Sequence, residues 1–187
     1  MKRLKYIFGI FCLLLCKQGF AQLKNGVVEG SFYIVRHAEK DTGNNPALKQ
    51  IGYLRAGDLY RELKDKGISK IYVSQYRRTE LTADSLRIYN KIETVHYKAY
   101  QEEDGIWSKI TADPIKDRVV LIVGHTNNIP DIIRKLGVND FNVIELPDNE
   151  YDNLYLVIVK GNKATLKQMK FGKPSPVAEK TMMKALQ

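Results

Sequence analysis

The sequence predicts a three-layer α/β fold with a mainly parallel central sheet and an antiparallel C-terminal edge hairpin. Short apolar runs alternate with longer segments of helical periodicity, which is the pattern of a parallel sheet covered by helices. Residues 119–123 are five consecutive aliphatic residues, as expected of a parallel strand that is buried on both faces. Further along, Gly161 and Asn162 separate two strand-like segments and indicate a hairpin.

The predicted elements follow one another along the chain. Residues 32–35 form an apolar run that predicts the first strand. Over residues 47–66, apolar side chains recur at helical spacings and Gly67 follows as a stop signal, which predicts the first helix. The other predicted elements are strands at 70–74, 93–97 and 118–125, helices at 76–89 and 128–137, and the hairpin within 153–171. The tail from residue 173, with two prolines, is expected to be flexible.

The N-terminal residues have the pattern of a secretory signal peptide. Three basic residues precede the apolar run at 6–15, and the small residues Gly19 and Ala21 provide a cleavage site. The run is shorter than the roughly 20 residues that span a bilayer. We therefore expect cleavage after Ala21, a single domain at 22–172, and secretion across the inner membrane into the periplasm. A retained membrane anchor is the alternative.

Both cysteines, Cys12 and Cys16, lie within this leader, so the mature chain is expected to have no disulfide. A lipid anchor on Cys16 is disfavoured, because Leu15 stands where lipoprotein processing requires a small side chain. The formal net charge is +9, and removal of the leader's four basic residues leaves +5. Basic residues are scattered rather than clustered with aromatics, which favours a small anionic substrate over nucleic acid. The pattern predicts no stable membrane insertion after cleavage, and it does not indicate an oligomeric state.

Polar and charged residues follow three of the predicted strands. They are Arg36 and His37 after the first strand, Arg77 and Arg78 after the second, and His125 after the fourth. Ligands of open α/β sheets bind beyond the carboxyl ends of the parallel strands, so these side chains are expected to meet at one rim. One histidine after a strand is usually structural, but three coincident strand ends indicate an active site.

Four segments carry a family resemblance. VRHAEK (35–40) resembles the Arg-His-Gly motif of the histidine phosphatase (phosphoglycerate mutase-like) superfamily, with Ala38 in place of the glycine. LKQIGYLRAGDL (48–59) is similar to its LTxxGxxRAxxL helix, and SQYRRTELTA (74–83) to its SxxxRxxxT stretch. VLIVGHTNNIP (120–130) resembles its second histidine motif. The motifs occur in family order over about residues 31–135, as in the small single-domain branch.

The resemblance implies a phosphoglycerate mutase-like fold and roles for four residues. Arg36 and Arg78, rather than Arg77, are expected to clamp the phosphoryl oxygens, because a guanidinium offers paired and geometrically fixed N–H donors. His37 is expected to attack phosphorus as a neutral imidazole and to become phosphohistidine, which water then hydrolyses. His125 is expected to be a third, protonated donor. The resemblance implies no cofactor.

The proton donor for the leaving group is open. Mutase-like relatives use a glutamate near a GxW pattern, which here is Gly105 to Trp107. Strict spacing places Gln101 at that position, so Glu102 or Glu103 would serve only after a small shift, and a solvated acidic loop is the alternative. Relatives of the phytase-like branch place an Asp directly after the second histidine, where this chain has Thr126.

Other candidates are weaker. Glu39 and Lys40 flank the predicted pocket and are expected to tune it or to contact substrate. Thr126 is a further candidate substrate contact. Substrate specificity is expected from the loops at 41–47, 98–117 and 146–152. His96 lies in a strand away from every motif and is taken as structural. Metal binding is disfavoured, because arginines beside the histidines would repel a cation and no cluster has zinc-type spacing.

The sequence therefore predicts a secreted, metal-independent phosphatase that hydrolyses a small phosphate monoester through His37. Three alternatives remain at this point. A phosphohistidine phosphatase would use the same residues on a protein substrate, and a phosphoglycerate mutase-like enzyme would share the pocket. A non-catalytic phosphate-binding module would retain the arginines without needing both histidines.

Overall fold

The computed structural model describes residues 28–101, 103, 105–113 and 118–176. A six-stranded sheet has the order β3-β2-β4-β1-β5-β6. The strands are β1 (Gly30–Arg36), β2 (Lys70–Ser74), β3 (Glu93–Tyr97), β4 (Arg118–Gly124), β5 (Asn153–Lys160) and β6 (Lys163–Lys170). β1 to β4 are mutually parallel, whereas β5 pairs antiparallel with both β1 and β6. The predicted parallel core and antiparallel edge hairpin are confirmed.

In the described ranges, four helices cover the two faces of the sheet. They are α1 (Gln50–Leu63), α2 (Arg77–Asn90), α3 (Ile106–Ala112) and α4 (Ile129–Lys135). Leu59 and Leu63 of α1 and Leu86 of α2 pack with Val35 and Val123 on one face. The opposite face carries α3 and α4, whose buried isoleucines pack on the neighbouring strand residues Phe32, Ile34, Val120 and Ile122. Alternate residues of β4 thus face two cores on opposite sides of the sheet, which explains why residues 119–123 are all apolar.

Two helices differ from the sequence prediction. α1 begins at Gln50 rather than 47, because Leu48 forms an antiparallel bridge with Lys40 and the backbone N–H of Lys49 donates to the Glu39 carbonyl. α3 lies within the segment 98–117 that was expected to be a loop. It has seven residues, of which only Ile110 is buried, so it lacks the apolar periodicity that reveals a longer helix.

The start of the C-terminal tail is held against the domain. Lys173 accepts a hydrogen bond from Arg55 through its carbonyl oxygen, at 2.9 Å. The Ser175 hydroxyl accepts from the backbone N–H of Tyr151 at 2.8 Å, and the Pro176 carbonyl accepts from Asn149 at 2.7 Å. Residues 173–176 thus differ from the expected flexible tail, because Arg55 and the 149–151 loop satisfy their polar groups. Residues 177–187 lie outside the described residues.

The signal peptide predicted at residues 1–21, with Cys12 and Cys16, also lies outside the described residues. Within the described ranges, no helix combines the length and apolar character that a membrane crossing needs. The sheet places the carboxyl ends of β1, β2 and β4 side by side, since β4 lies between the other two. This rim carries the strand-end residues that the sequence singled out.

Candidate active site

His37 and His125 face each other at the rim. Their ring centroids are 5.3 Å apart, and the planes are inclined by 60°. The backbone N–H of His37 donates to the Gly124 carbonyl at 3.0 Å, which continues the pairing of β1 with β4 beyond the last strand residue. Both imidazoles are almost fully buried. The two predicted histidine motifs therefore form one site.

The position and tautomer of His37 are set by its own turn. Its Nδ1 lies 2.8 Å from the Ala38 carbonyl oxygen, which can only accept, so Nδ1 carries the proton and Nε2 carries the lone pair. The Ala38 N–H donates to the Thr82 hydroxyl at 2.9 Å, and that hydroxyl donates to the Arg78 carbonyl at 2.7 Å. α2 thereby fixes the turn that presents the nucleophile.

α1 closes over the same turn from the other side. A Cβ at Gly52 would overlap the Glu39 carbonyl oxygen, so only glycine lets the helix approach this closely. The Glu39 carboxylate is bound by the Arg55 side chain, with its Nε at 2.9 Å from Oε2 and a terminal nitrogen at 2.7 Å from Oε1. Glu39 was expected to tune the pocket or contact substrate, but this buried pair makes it a structural link.

His125 is held by three elements. Its Nε2 lies 2.9 Å from the Ser74 hydroxyl, and an Arg78 terminal nitrogen lies 3.3 Å from Nδ1. The His125 backbone N–H donates to the Asn128 side-chain oxygen at 2.8 Å. Because arginine can only donate, Nδ1 accepts and Nε2 carries the proton. His125 thus has a neutral arrangement here, and the protonated form expected from the sequence requires proton uptake when an anion binds.

Burial sets the charge of both imidazoles. It lowers the pKa of His37 to about 3, with further lowering by His125, Arg78 and Arg36. Burial also lowers the pKa of His125 to about 3, followed by the effects of Arg78 and Arg36. At neutral pH both rings are therefore uncharged, and a neutral imidazole is the form that can act as a nucleophile.

Arg36 is fixed by the loop that precedes β5. One terminal nitrogen donates to the carbonyl oxygens of Pro147 at 3.0 Å, Asp148 at 2.8 Å and Glu150 at 3.3 Å. The guanidinium carbon also lies 4.1 Å from the centre of the Tyr151 ring. A residue on β1 thus organises a loop more than a hundred positions later, which the sequence did not predict.

Two arginine donors at the site have no acceptor among the described residues. The Nε–H groups of Arg36 and Arg78 are buried and donate to no described oxygen or nitrogen. Burying an unsatisfied N–H costs about 1–3 kcal/mol, so native proteins rarely retain one without a function. A phosphate group, with several strong acceptor oxygens, would satisfy both donors.

The adjacent arginines Arg77 and Arg78 point in different directions. Arg78 is half-buried, bonds to His125 and lies over the Tyr76 ring, with its guanidinium carbon 4.2 Å from the ring centre. Arg77 is exposed, and its backbone N–H donates to Asn45. The structure therefore places Arg78 at the site, as the motif spacing predicted.

Lys40, Thr126 and Glu103 make no described hydrogen bond to the histidines. Lys40 is half-buried and its backbone bridges to Leu48, while the Thr126 hydroxyl donates to the Glu145 carboxylate at 3.1 Å. Glu103 is exposed, and Glu102 lies outside the described residues. Among the described residues, no carboxylate hydrogen-bonds to either imidazole. Nor do these residues include a group of three or more His, Cys, Asp or Glu that could hold a metal ion.

Sequence reasoning missed the aromatic surroundings of the site. The Tyr76 ring meets His125 edge-on with centroids 5.4 Å apart, and the Tyr100 ring is nearly parallel to His125 at 6.3 Å. On the other side, Tyr151 lies 6.2 Å from His37. Tyr76 and Tyr100 follow the ends of β2 and β3, and Tyr151 precedes the start of β5. These positions relative to the strands were the one sequence signal that the three rings lie at the same edge of the sheet.

Sequence comparison assigns the family. The model of the histidine phosphatase superfamily (branch 1) matches residues 32–142, which is more than half of the chain and includes Arg36, His37, Arg78 and His125. The chain belongs to the histidine phosphatase superfamily. It is accordingly a phosphatase, and the predicted relationship is confirmed. No protein with a curated description matches the chain in sequence.

Solved structures share the fold. A protein assigned as the phosphohistidine phosphatase SixA of Agrobacterium tumefaciens superposes with a TM-score of 0.58 at 16% identity, over 78% of this chain and 99% of that one. An assigned α-ribazole-5′-phosphate phosphatase of Escherichia coli gives 0.58 at 11%, over 75% and 96%. A mycobacterial glucosyl-3-phosphoglycerate phosphatase, solved with VO3, gives 0.55 at 13%, over 74% and 97%. At these identities the likeness establishes the fold alone.

The buried histidines predict a pH-dependent stability for this histidine phosphatase. Their folded pKa values of about 3 lie below the unfolded value of about 6.5, so the unfolded chain binds more protons between these limits. The free energy of unfolding must then rise with pH across this window and be lost as the pH falls towards 3. We expect the Tm to fall from pH 7 to pH 4, and to fall less in His37→Gln and His125→Gln. An equal fall in these variants and in the exposed control His96→Gln would contradict this origin.

Proposed function

We propose that the protein hydrolyses a small phosphate monoester through a covalent phosphohistidine on His37. The observation that carries the proposal is the Nδ1 contact to the Ala38 carbonyl, which leaves Nε2 as an uncharged nucleophile beside two arginines with unpartnered Nε–H groups. Nε2 attacks phosphorus and the bond from phosphorus to the ester oxygen breaks. The departing oxygen takes that electron pair and a proton, and water then cleaves the phosphorus–nitrogen bond to release phosphate.

The positive groups would act on the charge that develops during transfer. Arg36 is immobilised by three carbonyl oxygens, so its free Nε–H needs no reorganisation to meet a phosphoryl oxygen. Arg78 would exchange its bond to His125 for one to phosphate, and the dianion would favour proton uptake by His125 Nδ1. Both changes place donors where charge accumulates.

We also propose that the enzyme acts outside the cytosol, in the periplasm, because the N-terminal pattern is that of a cleaved leader. Cell fractionation together with N-terminal sequencing tests this location. A mature chain that starts at Gln22 and is released with the periplasmic fraction is expected. A chain that retains residues 1–21 in the cytosol would contradict it.

A panel of phosphate monoesters tests the activity. The mature protein is expected to release phosphate from at least one small ester. The rate should be the same with and without EDTA, because the arginines at the site supply the positive charge that a metal ion would otherwise provide. Inorganic phosphate is expected to inhibit competitively. Binding of phosphate without turnover of any ester would instead indicate a non-catalytic module. A rate that vanishes in EDTA and returns with a divalent cation would contradict metal independence.

A phosphohistidine phosphatase is the second candidate. It is favoured by the lack of any described carboxylate that bonds to the imidazoles, since phosphohistidine has a good leaving group that needs little acid catalysis. The similarity in fold to a protein assigned as SixA supports it as well.

The leaving-group dependence of acid variants separates the two candidates. An alkoxide must be protonated as it departs, and a general acid is worth about 10²–10⁴-fold for such a group. If Glu102 or Glu103 is that acid, its change to Gln should slow an alkyl phosphate by this factor and barely affect nitrophenyl phosphate. Each variant is the matched control of the other, because only the residue that acts as the acid should slow the alkyl phosphate when it is changed. Two unresponsive variants would favour phosphohistidine as the natural substrate.

A further inference from the structure

The strand order fixes the sequence of side chains along the rim. From one side to the other, the rim carries Tyr100 beyond β3, Tyr76 beyond β2, His125 beyond β4, His37 beyond β1 and Tyr151 before β5. His37 and Tyr100 therefore lie on opposite sides of His125, to which both are adjacent, with ring centroids at 5.3 and 6.3 Å.

The geometry of in-line phosphoryl transfer relates the order of these side chains to the position of the leaving group. The attacking and leaving atoms lie on opposite sides of phosphorus during phosphoryl transfer. With His37 as the nucleophile, the leaving group lies on the side of phosphorus away from His37. In one direction along the rim from His37 lie His125, then Tyr76 and Tyr100. This step rests on the function proposed above.

Aromatic side chains form that part of the rim. Tyr76 stands edge-on to His125, and Tyr100 meets Tyr76 at 66° with 6.4 Å between ring centroids. Tyr100 is nevertheless 60% exposed, so a large part of its ring is free to contact a bound molecule.

A cleft continues outward from Tyr100. It has a volume of about 430 Å³, within the range of about 300–1,000 Å³ that is typical of small-molecule sites. Asn128 also lines it, and this residue binds the His125 backbone, so the cleft adjoins the histidine site. Its apolar lining residues are Ala99, Tyr100, Ile106, Trp107 and Ile132. Lys98, Gln101, Asp131 and Lys135 add polar groups to the lining.

We propose that this cleft binds the leaving group of the substrate, and that the leaving group carries an aromatic or heteroaromatic ring that stacks on Tyr100. A planar ring matches a lining in which two aromatic side chains meet aliphatic ones, because aromatic pairs gain more than their buried area provides. The polar groups of the lining then select substituents on that ring. The cleft thus determines specificity, whereas the arginines and histidines handle the phosphoryl group.

Two matched esters test the proposal by turnover. Benzyl phosphate and cyclohexylmethyl phosphate have leaving groups of similar size and basicity, and only the first has an aromatic ring. We expect kcat/KM to favour the benzyl ester about 3- to 10-fold. Tyr100→Leu should abolish this ratio and Tyr100→Phe should keep it, while Tyr89→Leu, at an exposed tyrosine of α2, should leave it unchanged. Turnover of both esters without a Tyr100-dependent preference would overturn the proposal.

Binding provides a readout that does not depend on turnover. Trp107 is the single tryptophan of the chain and lines the cleft, so its fluorescence should respond to benzylphosphonate in a saturable manner. Calorimetry with His37→Ala should show tighter binding of benzylphosphonate than of cyclohexylmethylphosphonate, and Tyr100→Leu should remove the difference. Equal affinities would overturn the cleft assignment. If no ester is hydrolysed but the Tyr100-dependent difference persists, the proposed function fails while the ring-binding cleft stands.

Discussion

His37→Ala is expected to lower kcat by at least about 10⁴-fold while the protein remains folded. The variant removes Nε2 of His37, whose lone pair would bond to phosphorus, and the arginines that remain can bind an ester but cannot split its hydrolysis into two steps. Folding should persist, because the lost imidazole is a buried polar group whose single described hydrogen bond is to its own turn. The unfolding transition of the variant, followed at neutral pH, checks this.

Chemical trapping of the phosphorylated enzyme tests the formation of phosphohistidine directly. Wild-type enzyme that is quenched during turnover should carry phosphate that is labile in acid and stable in alkali, and His37→Ala should carry none. His96→Ala is the matched control, because His96 lies exposed on β3 and makes no hydrogen bond or ring contact with a site residue in the described part of the chain. It should keep both the rate and the trapped phosphate. Turnover by His37→Ala close to the wild-type rate would refute the covalent mechanism.

The central strands and the four site residues were predictable because their signals are local. β4 is buried on both faces, so its residues 119–123 are all aliphatic, while Arg36 ends β1 and His37 and His125 directly follow β1 and β4. Parallel topology then brings those ends together without further information. α3 was missed for the converse reason, since a seven-residue helix with one buried side chain has no periodic pattern.

The contacts that fix the site were not predictable, because they join distant parts of the chain. Arg36 binds the carbonyl oxygens of residues 147–150, and backbone carbonyls carry no sequence signal. Arg55 was read as one residue of a helical motif, yet it links Glu39 to Lys173. The tyrosines around the imidazoles were visible as residues, but the distances that bring them to His125 depend on strand order.

Arg78 is expected to be essential where its neighbour Arg77 is dispensable. Successive helical residues are rotated by about 100°, so two adjacent side chains cannot face one pocket equally. Arg78 bonds to His125 and holds a buried, unpartnered Nε–H, whereas Arg77 is exposed. Loss of a donor aimed at developing charge costs about 3–4 kcal/mol, so Arg78→Ala should lower kcat/KM by roughly 10²–10³-fold.

The conservative variant shows which property of Arg78 matters. Arg78→Lys keeps the charge but removes the fixed fork of donors, so it should recover only a small part of the lost kcat/KM and should still bind inorganic phosphate more weakly than the wild type. Arg77→Ala should stay within about twofold of the wild type, because exposed charges contribute little through solvent. Full rescue by lysine would mean that Arg78 acts only as a point charge. The reverse ranking of Arg77 and Arg78 would show that α2 presents Arg77, rather than Arg78, to the phosphoryl group.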